Sequence, residues 1–403
     1  MFYYKYKNKY LCSLEYGYGY NKIDSIPSNL NELYFLYKSD RKRSKRSYAL
    51  SNGSDLYNKE ENLDILKLKD YGGDVPDEML NIISRRRVKA VNTDYDNYEE
   101  CFSMKENTKK TINILALGDV GSTLLTGVRL LGRNSVKSIG IFDRNSNKIK
   151  RWEYEMNQVS FPFDFSSMPQ VHGIEKEHLF DCDMFVFCAS KEVPPVGNEN
   201  IDVRMVQFEE NSKLVREYAH MAAERKFKGI FAVVSDPVDL LCKEVLKEGR
   251  SVLVPEQIKG YGLGVMNARA AYYAKKYKRY SSYLTEGRAY GPHGKGLVIA
   301  NSIVDYDDCI SRELTRLTVK ANLEVRRTGF KPYVAPALSS GAISIICTIE
   351  GKWHYSSNYI GGVFMGVKNR NMPSGLEIEK LHMPEELFDR IEKTYEELLK
   401  LSR

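Results

Sequence analysis

The stretch Ile112-Asn113-Ile114-Leu115-Ala116-Leu117-Gly118-Asp119-Val120-Gly121 decides the fold class of this chain. It opens as a short apolar strand, and the apolar spacing that follows predicts a helix through Leu131. Gly118 and Gly121 occupy two positions of the pattern G-x-G-x-x-G, and Ala116 stands at its first position. In that pattern the glycines let the backbone approach a pyrophosphate at a helix N-terminus. The motif is short, and a glycine turn of any α/β protein is an equal alternative.

Strands and helices alternate from this stretch to Lys247. The strands are predicted at Ser138–Phe142, Met184–Ala189 and Ile230–Ser235, and the helices at Asn147–Gln158, Asn211–Lys226 and Val238–Lys247. Such alternation predicts a parallel sheet with helical crossovers. Asp143 follows the second strand, about 20 residues after the glycine turn, where an acidic side chain would bind a ribose hydroxyl and disfavour a 2′-phosphate.

Composition and charge exclude several classes of protein. The chain has 403 residues, 42% of them apolar, and a formal net charge of +7, which allows two or three domains with a sizeable core. This charge is mild for the length and does not indicate nucleic acid as a partner. There is no signal-peptide pattern and no run of about 18 apolar residues, so no membrane association is expected. Seven cysteines without C-x-x-C spacing favour reduced thiols, a cytoplasmic location and no metal site.

The first 110 residues differ in texture from the rest. Aromatic and polar residues alternate over Phe2–Tyr6 and again over Tyr16–Tyr20, which predicts a hairpin of two strands. Apolar residues at helical spacing predict a helix over Ile26–Tyr37, and Pro76–Val88 is a second candidate helix. The basic run Arg41–Arg46 is interpreted as a solvated charge run, with a surface for an anionic partner as the alternative.

Two later motifs carry polar side chains suited to chemistry. Ser235-Asp236-Pro237-Val238-Asp239 stands at a strand end before a helix, where open parallel sheets bind ligands. Its alternative interpretation is a proline-initiated helix capped by Asp236. Gly291-Pro292-His293-Gly294 places a histidine between glycines, and histidine is the side chain best suited to proton exchange near neutral pH. The alternative for His293 is a plain turn residue.

In this order and spacing, the motifs resemble the lactate/malate dehydrogenase family from Ile112 to the C-terminus. Asp236-Pro237-Val238-Asp239 looks like the family's Asn-Pro-x-Asp, and Gly260–Arg269 looks like its segment ending in a substrate-carboxylate arginine. Gly291–Gly294 looks like the family's catalytic-histidine turn, and Pro384–Leu401 matches its final helix. The resemblance implies a Rossmann-type parallel-sheet domain at 111–256 and an α+β catalytic-type domain at 257–403. Residues 1–110 would form a small α+β extension.

The resemblance also implies roles for individual residues. His293 would be the acid/base, Arg269 would clamp the substrate carboxylate in a bidentate manner, and Arg204 would polarise the substrate carbonyl. Asp236 is a candidate partner for His293, or a site favouring a cationic amine or imine substrate. NAD would be bound by residues at three strand ends, namely Gly118, Asp119, Val120, Gly121, Asp143 and Ala189.

Three departures from the family pattern concern its chemistry. The family's aspartate, three residues before the carboxylate arginine, is replaced by Met266. The family's asparagine is Asp236, and an ionised aspartate cannot donate a hydrogen bond to a substrate oxygen. The first glycine of the nucleotide motif is Ala116. No arginine lies between Ala189 and Val203, so no second-carboxylate clamp of the malate type is visible there.

The sequence therefore predicts an NAD-dependent oxidoreductase acting on a small 2-hydroxy or 2-oxo acid, or a related imine. The alternative is a catalytically impaired or repurposed family member that binds a protein or peptide through its N-terminal extension. The family resemblance further implies a homo-oligomer, a dimer or a tetramer.

Overall fold

The structure is a computed structural model that describes residues 1–402, except 28, 59, 71–74, 105–107, 192–202 and 250–251, with the backbone alone at 203–207. The chain divides into two compact units. The first unit comprises Met1–Asn107, Tyr359–Gly362 and Asn369–Met383, and the second comprises Thr108–Asn358, Val363–Lys368 and Pro384–Arg403. The second unit therefore runs across the boundary predicted at residue 256, and that boundary stays a prediction.

The first unit is built on a mixed sheet with one helix of two turns. Its N-terminal elements are β1 (Phe2–Tyr6), β2 (Lys9–Ser13), β3 (Asn21–Ile23), β4 (Leu33–Tyr37), β5 (Ser47–Ala49), α1 (Asp77–Ser84) and β6 (Val88–Asn92). The strands lie in the order β3-β1-β2-β4-β6-β5. Helix α1 confirms the candidate helix at Pro76–Val88, although it ends before β6.

The predicted hairpin has a different second strand. β1 pairs with β2 in antiparallel fashion, and Tyr16–Tyr20 forms no strand although these residues are all described. Gly17 has a φ of +111°, which interrupts extended backbone there. The alternating rings still meet β1 pairwise, with ring centroids 5.4, 6.0 and 5.0 Å apart for Phe2–Tyr16, Tyr4–Tyr18 and Tyr6–Tyr20. The alternation of aromatic and polar residues over Tyr16–Tyr20 therefore reflects the packing of these rings on β1, and not the pairing of two strands.

The helix predicted over Ile26–Tyr37 is wrong, because the second half of this range is strand β4. Leu33 to Leu36 are consecutive buried residues, and β4 runs parallel to both β2 and β6. A parallel strand covered on both faces gives a continuous apolar run, which was mistaken for helical spacing. The interpretation of Arg41–Arg46 as solvated charge also fails at Lys45, whose side chain is buried in an ion pair with buried Glu61.

The second unit begins with six parallel strands and their crossover helices. They are β7 (Lys110–Leu115), α2 (Asp119–Leu131), β8 (Val136–Phe142), α3 (Ser146–Asn157), β9 (Gln170–Gly173), β10 (Met184–Phe187), α4 (Val203–Glu224), β11 (Ile230–Val233), α5 (Val238–Glu248) and β12 (Ile258–Gly260). The order β12-β11-β10-β7-β8-β9 reverses direction between β7 and β10. This is the doubly wound arrangement of dinucleotide-binding domains, in which ligands bind outside the carboxyl ends of the strands at the reversal. The predicted fold class is confirmed.

The remaining elements complete the second unit and return twice to the first, at Tyr359–Gly362 and at Asn369–Met383. They are α6 (Leu263–Lys276), α7 (Tyr283–Glu286), β13 (Arg288–Tyr290), β14 (Val298–Ala300), α8 (Asp308–Arg327), a π-helix (Pro336–Ile343), α9 (Ser344–Ile349), β15 (His354–Ile360), β16 (Val363–Met372), β17 (Gly375–Ile378) and α10 (Glu385–Leu401). β15 pairs antiparallel with β12, and β17 pairs with the end of β16 inside the first unit. None of the described helices combines the length and the apolar character that crossing a membrane requires.

Packing of α2 fixes the nucleotide-type turn on the sheet. Leu124, Leu125 and Val128 are fully buried against the strands. On another side of α2, Gly127 faces the π-helix so closely that a Cβ atom there would lie 2.5 Å from the Cβ of Ala342. Helix α2 is therefore packed between the sheet and the π-helix, and this packing fixes the position of its N-terminus.

Candidate functional site

The turn between β7 and α2 has the tight geometry that a dinucleotide motif requires. Ala116 has a φ of +74°, a left-handed conformation that suits glycine. A Cβ atom on Gly121 would lie 1.9 Å from the Ala116 carbonyl oxygen, so only glycine fits there. A Cβ atom on Gly118 would meet nothing within 4 Å, and this residue caps α2 without a side chain. The open backbone at this helix N-terminus fits a pyrophosphate group.

Asp143 lies beside this turn, at the carboxyl end of β8. Its Oδ2 accepts a hydrogen bond from the Leu117 N–H at 2.8 Å, and its Oδ1 accepts one from the Asn145 N–H at 2.9 Å. The ammonium group of Lys148 lies 3.9 Å from Oδ2. The carboxylate thus ties the glycine turn to the next strand end, at the place where a ribose would lie.

Asn211 connects two further strand ends. Its Oδ1 accepts a hydrogen bond from the Lys191 N–H at 3.0 Å, and its Nδ2 donates to the Asp236 carbonyl at 2.8 Å. The Ser235 hydroxyl donates to the Ala189 carbonyl at 2.7 Å. These contacts hold the ends of β10 and β11 together. The sequence predicts Asn211 only as part of a helix, because a side-chain bridge between two loops has no local sequence pattern.

His293 and Asp236 form a direct contact. The distance from Nδ1 of His293 to Oδ1 of Asp236 is 2.9 Å, and the two side chains are 17% and 46% exposed. Because an ionised carboxylate only accepts hydrogen bonds, Nδ1 carries the proton and Nε2 is left for another partner. Buried Asp239 accepts a hydrogen bond from the His293 backbone N–H and another from the Ser357 hydroxyl, the latter at 2.7 Å. Burial raises the pKa of Asp239 to about 6.

The position of the family's missing aspartate is filled by an apolar side chain. Met266 is buried, and its sulfur lies 3.7 Å from a guanidinium nitrogen of Arg269. Its polar neighbour Asn267 accepts a hydrogen bond from the Tyr283 hydroxyl at 2.8 Å. Burial lowers the pKa of Arg269, and attraction to Asp236 opposes that shift.

These side chains line one cleft of about 1940 Å³. The cleft runs along the carboxyl ends of β7, β8, β10 and β11 and includes Asp119, Asp143, Asp236, Arg269 and His293. Its described lining holds eight lysines and arginines against five aspartates and glutamates. This excess of positive charge suits an anionic ligand.

Arg204 cannot be placed in the cleft by its side chain, which lies outside the described residues. Its backbone belongs to α4, which begins at Val203 and not near Asn211 as predicted. The predicted start is too late, although Val203 and Val206, like Met205 and Phe208, have the three-residue spacing of a helix. The segment 192–202, on which the sequence placed no second carboxylate clamp, is also outside the described residues.

No model of a known protein family matches the chain. Curated sequences do: the chain is 24% identical over 193 residues to an L-lactate dehydrogenase of Mesomycoplasma hyopneumoniae strain 232, a match that covers 47% of this chain and 57% of that protein. The chain therefore matches a little over half the length of this relative. Among solved structures, the minor L-lactate dehydrogenase of Enterococcus mundtii aligns with a TM-score of 0.60 at 18% identity, over 74% of this chain and 98% of that one. The malate dehydrogenase of Cryptosporidium parvum aligns with a TM-score of 0.57 at 16% identity, over 73% and 98%.

The chain is thus similar in sequence to an L-lactate dehydrogenase and shares its fold with solved lactate and malate dehydrogenases. In this chain Asp236 supplies the carboxylate that contacts His293, and position 266 holds a methionine. The sequence already offers Asp236 as a candidate partner for His293, and the two side chains are in contact in the structure. The contact brings together in the cleft two residues that lie 57 positions apart in the chain.

Proposed function

We propose that this protein is a nicotinamide-dependent oxidoreductase that interconverts a small 2-hydroxy acid and its 2-oxo acid. The observation that carries the proposal is the pair His293–Asp236, held at 2.9 Å in the same cleft as Arg269 and the glycine turn. A proton-exchanging group, a cation for a carboxylate and a dinucleotide-type turn are the parts that this reaction requires.

The residues around the turn fit a dinucleotide. Gly118, Asp119, Val120 and Gly121 form the open helix N-terminus for the pyrophosphate, and Asp143 lies where the adjacent ribose would be. Ala189, at the end of β10, faces the same cleft. When bound, NAD(H) would supply or accept the hydride.

His293 would hold and release the proton at its Nε2 atom. With Nδ1–H donating to Asp236, the ring has a fixed tautomer and a fixed orientation in the cleft. In the reducing direction Nε2–H would donate to the substrate oxygen, and in the oxidising direction Nε2 would accept the hydroxyl proton. Asp236 acts here as a positioning residue.

Arg269 would bind the substrate carboxylate. Arg269 is partly buried and lines the cleft, and position 266 offers its guanidinium no carboxylate. A partly desolvated arginine favours a bidentate partner such as a carboxylate. Arg204 would polarise the carbonyl, a role that rests on the family resemblance alone.

The first test is titration of the protein with NADH, followed by the fluorescence of the cofactor. We expect binding in the wild type and in Arg204→Ala, and weakened binding in Asp143→Ala. A screen of 2-oxo acids, with and without amines, then identifies the substrate class, and His293→Asn should lower kcat about 10²- to 10⁴-fold. Absence of NADH binding up to millimolar concentration would refute the proposal and favour a repurposed family member.

A further inference from the structure

The carboxylate that the family uses for a ribose is engaged by the protein itself. Both oxygens of Asp143 accept backbone N–H groups, from Leu117 and Asn145, at 2.8 and 2.9 Å. The side chain is only 13% exposed, and Lys148 lies 3.9 Å away. The carboxylate of Asp143, whose negative charge would repel a phosphate, is therefore directed at the backbone of the loop, and the ammonium group of Lys148 partly offsets its charge.

Basic side chains occupy the exposed positions around it. Arg144 follows Asp143 directly, is exposed and lines the cleft, and it has no ion-pair or hydrogen-bond partner among the described residues. Lys148 stands one turn further on, in α3. Lys176 reaches the same part of the cleft from the segment after β9, where it pairs with Glu217 at 2.7 Å.

Tyr218 ties these groups to one location. The ammonium group of Lys176 lies 5.8 Å from the centre of its ring, and Tyr218, Lys176 and Arg144 line the same cleft. Burial, the largest cause, raises the pKa of Tyr218, and the positive charges of Lys176 and Arg144 act to lower it. Three cations against two carboxylates leave one positive charge in excess at this end. That charge is the exposed guanidinium of Arg144.

We propose that this end of the cleft accepts a 2′-phosphate, so that the protein binds NADP(H) as well as NAD(H), with Arg144 and Lys148 as the phosphate-binding residues. A guanidinium binds a phosphate in a bidentate manner, and an arginine next to the ribose position is how doubly wound domains accommodate the 2′-phosphate. The proposal rests on the proposed dinucleotide site, and it changes the expectation that Asp143 excludes this group.

The test separates the phosphate from the rest of the cofactor. Adenosine 2′,5′-bisphosphate and AMP differ by this one phosphate, and their dissociation constants for the full-length protein can be measured by calorimetry without any reaction. We expect the bisphosphate to bind at least as tightly as AMP. Arg144→Ala should weaken the bisphosphate about 10-fold or more and leave AMP within about two-fold, and Arg144→Lys should restore part of the loss.

The control variant is Lys150→Ala. Lys150 is an exposed lysine that lies in α3, like Lys148, but does not line the cleft. This variant should leave both dissociation constants unchanged. If AMP binds and the bisphosphate binds more than about 10-fold more weakly, or if Arg144→Ala leaves their ratio unchanged, the 2′-phosphate proposal is overturned while the proposed function stands. If neither nucleotide binds and NADH also fails to bind, both proposals fall.

Discussion

Replacing Ala116 with glycine should stabilise the second unit. Ala116 has a φ of +74°, and Phe142 and Gly121 fix this geometry by a 2.8 Å hydrogen bond to the Ala116 N–H and by close packing at its carbonyl. A left-handed conformation costs a residue with a Cβ atom roughly 1–2 kcal/mol. Glycine removes that cost but adds about 0.5–1 kcal/mol of backbone entropy to the unfolded chain. The expected net gain is about 0.5–1 kcal/mol, or about 1–3 °C in Tm.

The assay is thermal unfolding, compared across three variants. Ala189→Gly is the matched control, because Ala189 lines the same cleft just after β10, the strand beside β7, and its φ is not positive. It should lose about 0.5–1 kcal/mol, since it gains only the entropy of the unfolded state. Ala116→Val should also lose stability, because a β-branched residue tolerates a positive φ less well than alanine does. If Ala116→Gly melts as far below the wild type as Ala189→Gly does, the strain argument is wrong.

Three further predictions concern other parts of the chain. Gly121→Ala should destabilise the protein by more than about 3 kcal/mol, because its Cβ atom would meet a backbone oxygen at 1.9 Å, and denaturant unfolding measures this. The raised pKa of Asp239, about 6, means that the protonated form stabilises the fold at low pH and that this contribution is lost as the pH rises through 6. Asp239→Asn should flatten unfolding free energy against pH between about 4 and 7, and an unchanged slope would contradict this. Deleting residues 1–107 should give an aggregating protein on size-exclusion chromatography, because Asn369–Met383 belongs to the same compact unit. A monodisperse product would show instead that this unit is dispensable.

The alternation of strands and helices after Thr111 could be predicted because each period is local. A strand between turns and an amphipathic helix both carry their signal within a dozen residues. The N-terminal unit gave errors where the signal was not local. β4 is apolar because neighbours from distant sequence cover both of its faces, and Lys45 is buried because Glu61 meets it. No periodicity reports either fact.

The candidate site divides in the same way. Its motifs predicted that Asp236, Arg269 and His293 belong to one site, through the resemblance to lactate/malate dehydrogenases. What the motifs left open was whether Asp236 contacts His293 or favours a cationic substrate, because no motif gives the distance between side chains 57 positions apart in the chain. Only the distance from Nδ1 to Oδ1 decides it. The hydrogen bonds of Asp143 were equally beyond the motif, which identifies a carboxylate but not where its oxygens point.

Two substitutions, Asp236→Asn and Met266→Asp, test whether activity requires one carboxylate beside His293, whichever of the two positions supplies it. Asp236→Asn alone leaves His293 without the carboxylate that it contacts, so the imidazole is less well oriented and kcat should fall. Met266→Asp alone places a second carboxylate in a buried position beside Arg269, where an ion pair would reduce the charge available to a substrate carboxylate and KM should rise. In the double variant the carboxylate has changed sides and the number of charges is again that of the wild type. The double variant should therefore be more active than either single variant. If its loss of activity equals the sum of the two single losses in free energy, Asp236 serves another purpose than positioning His293.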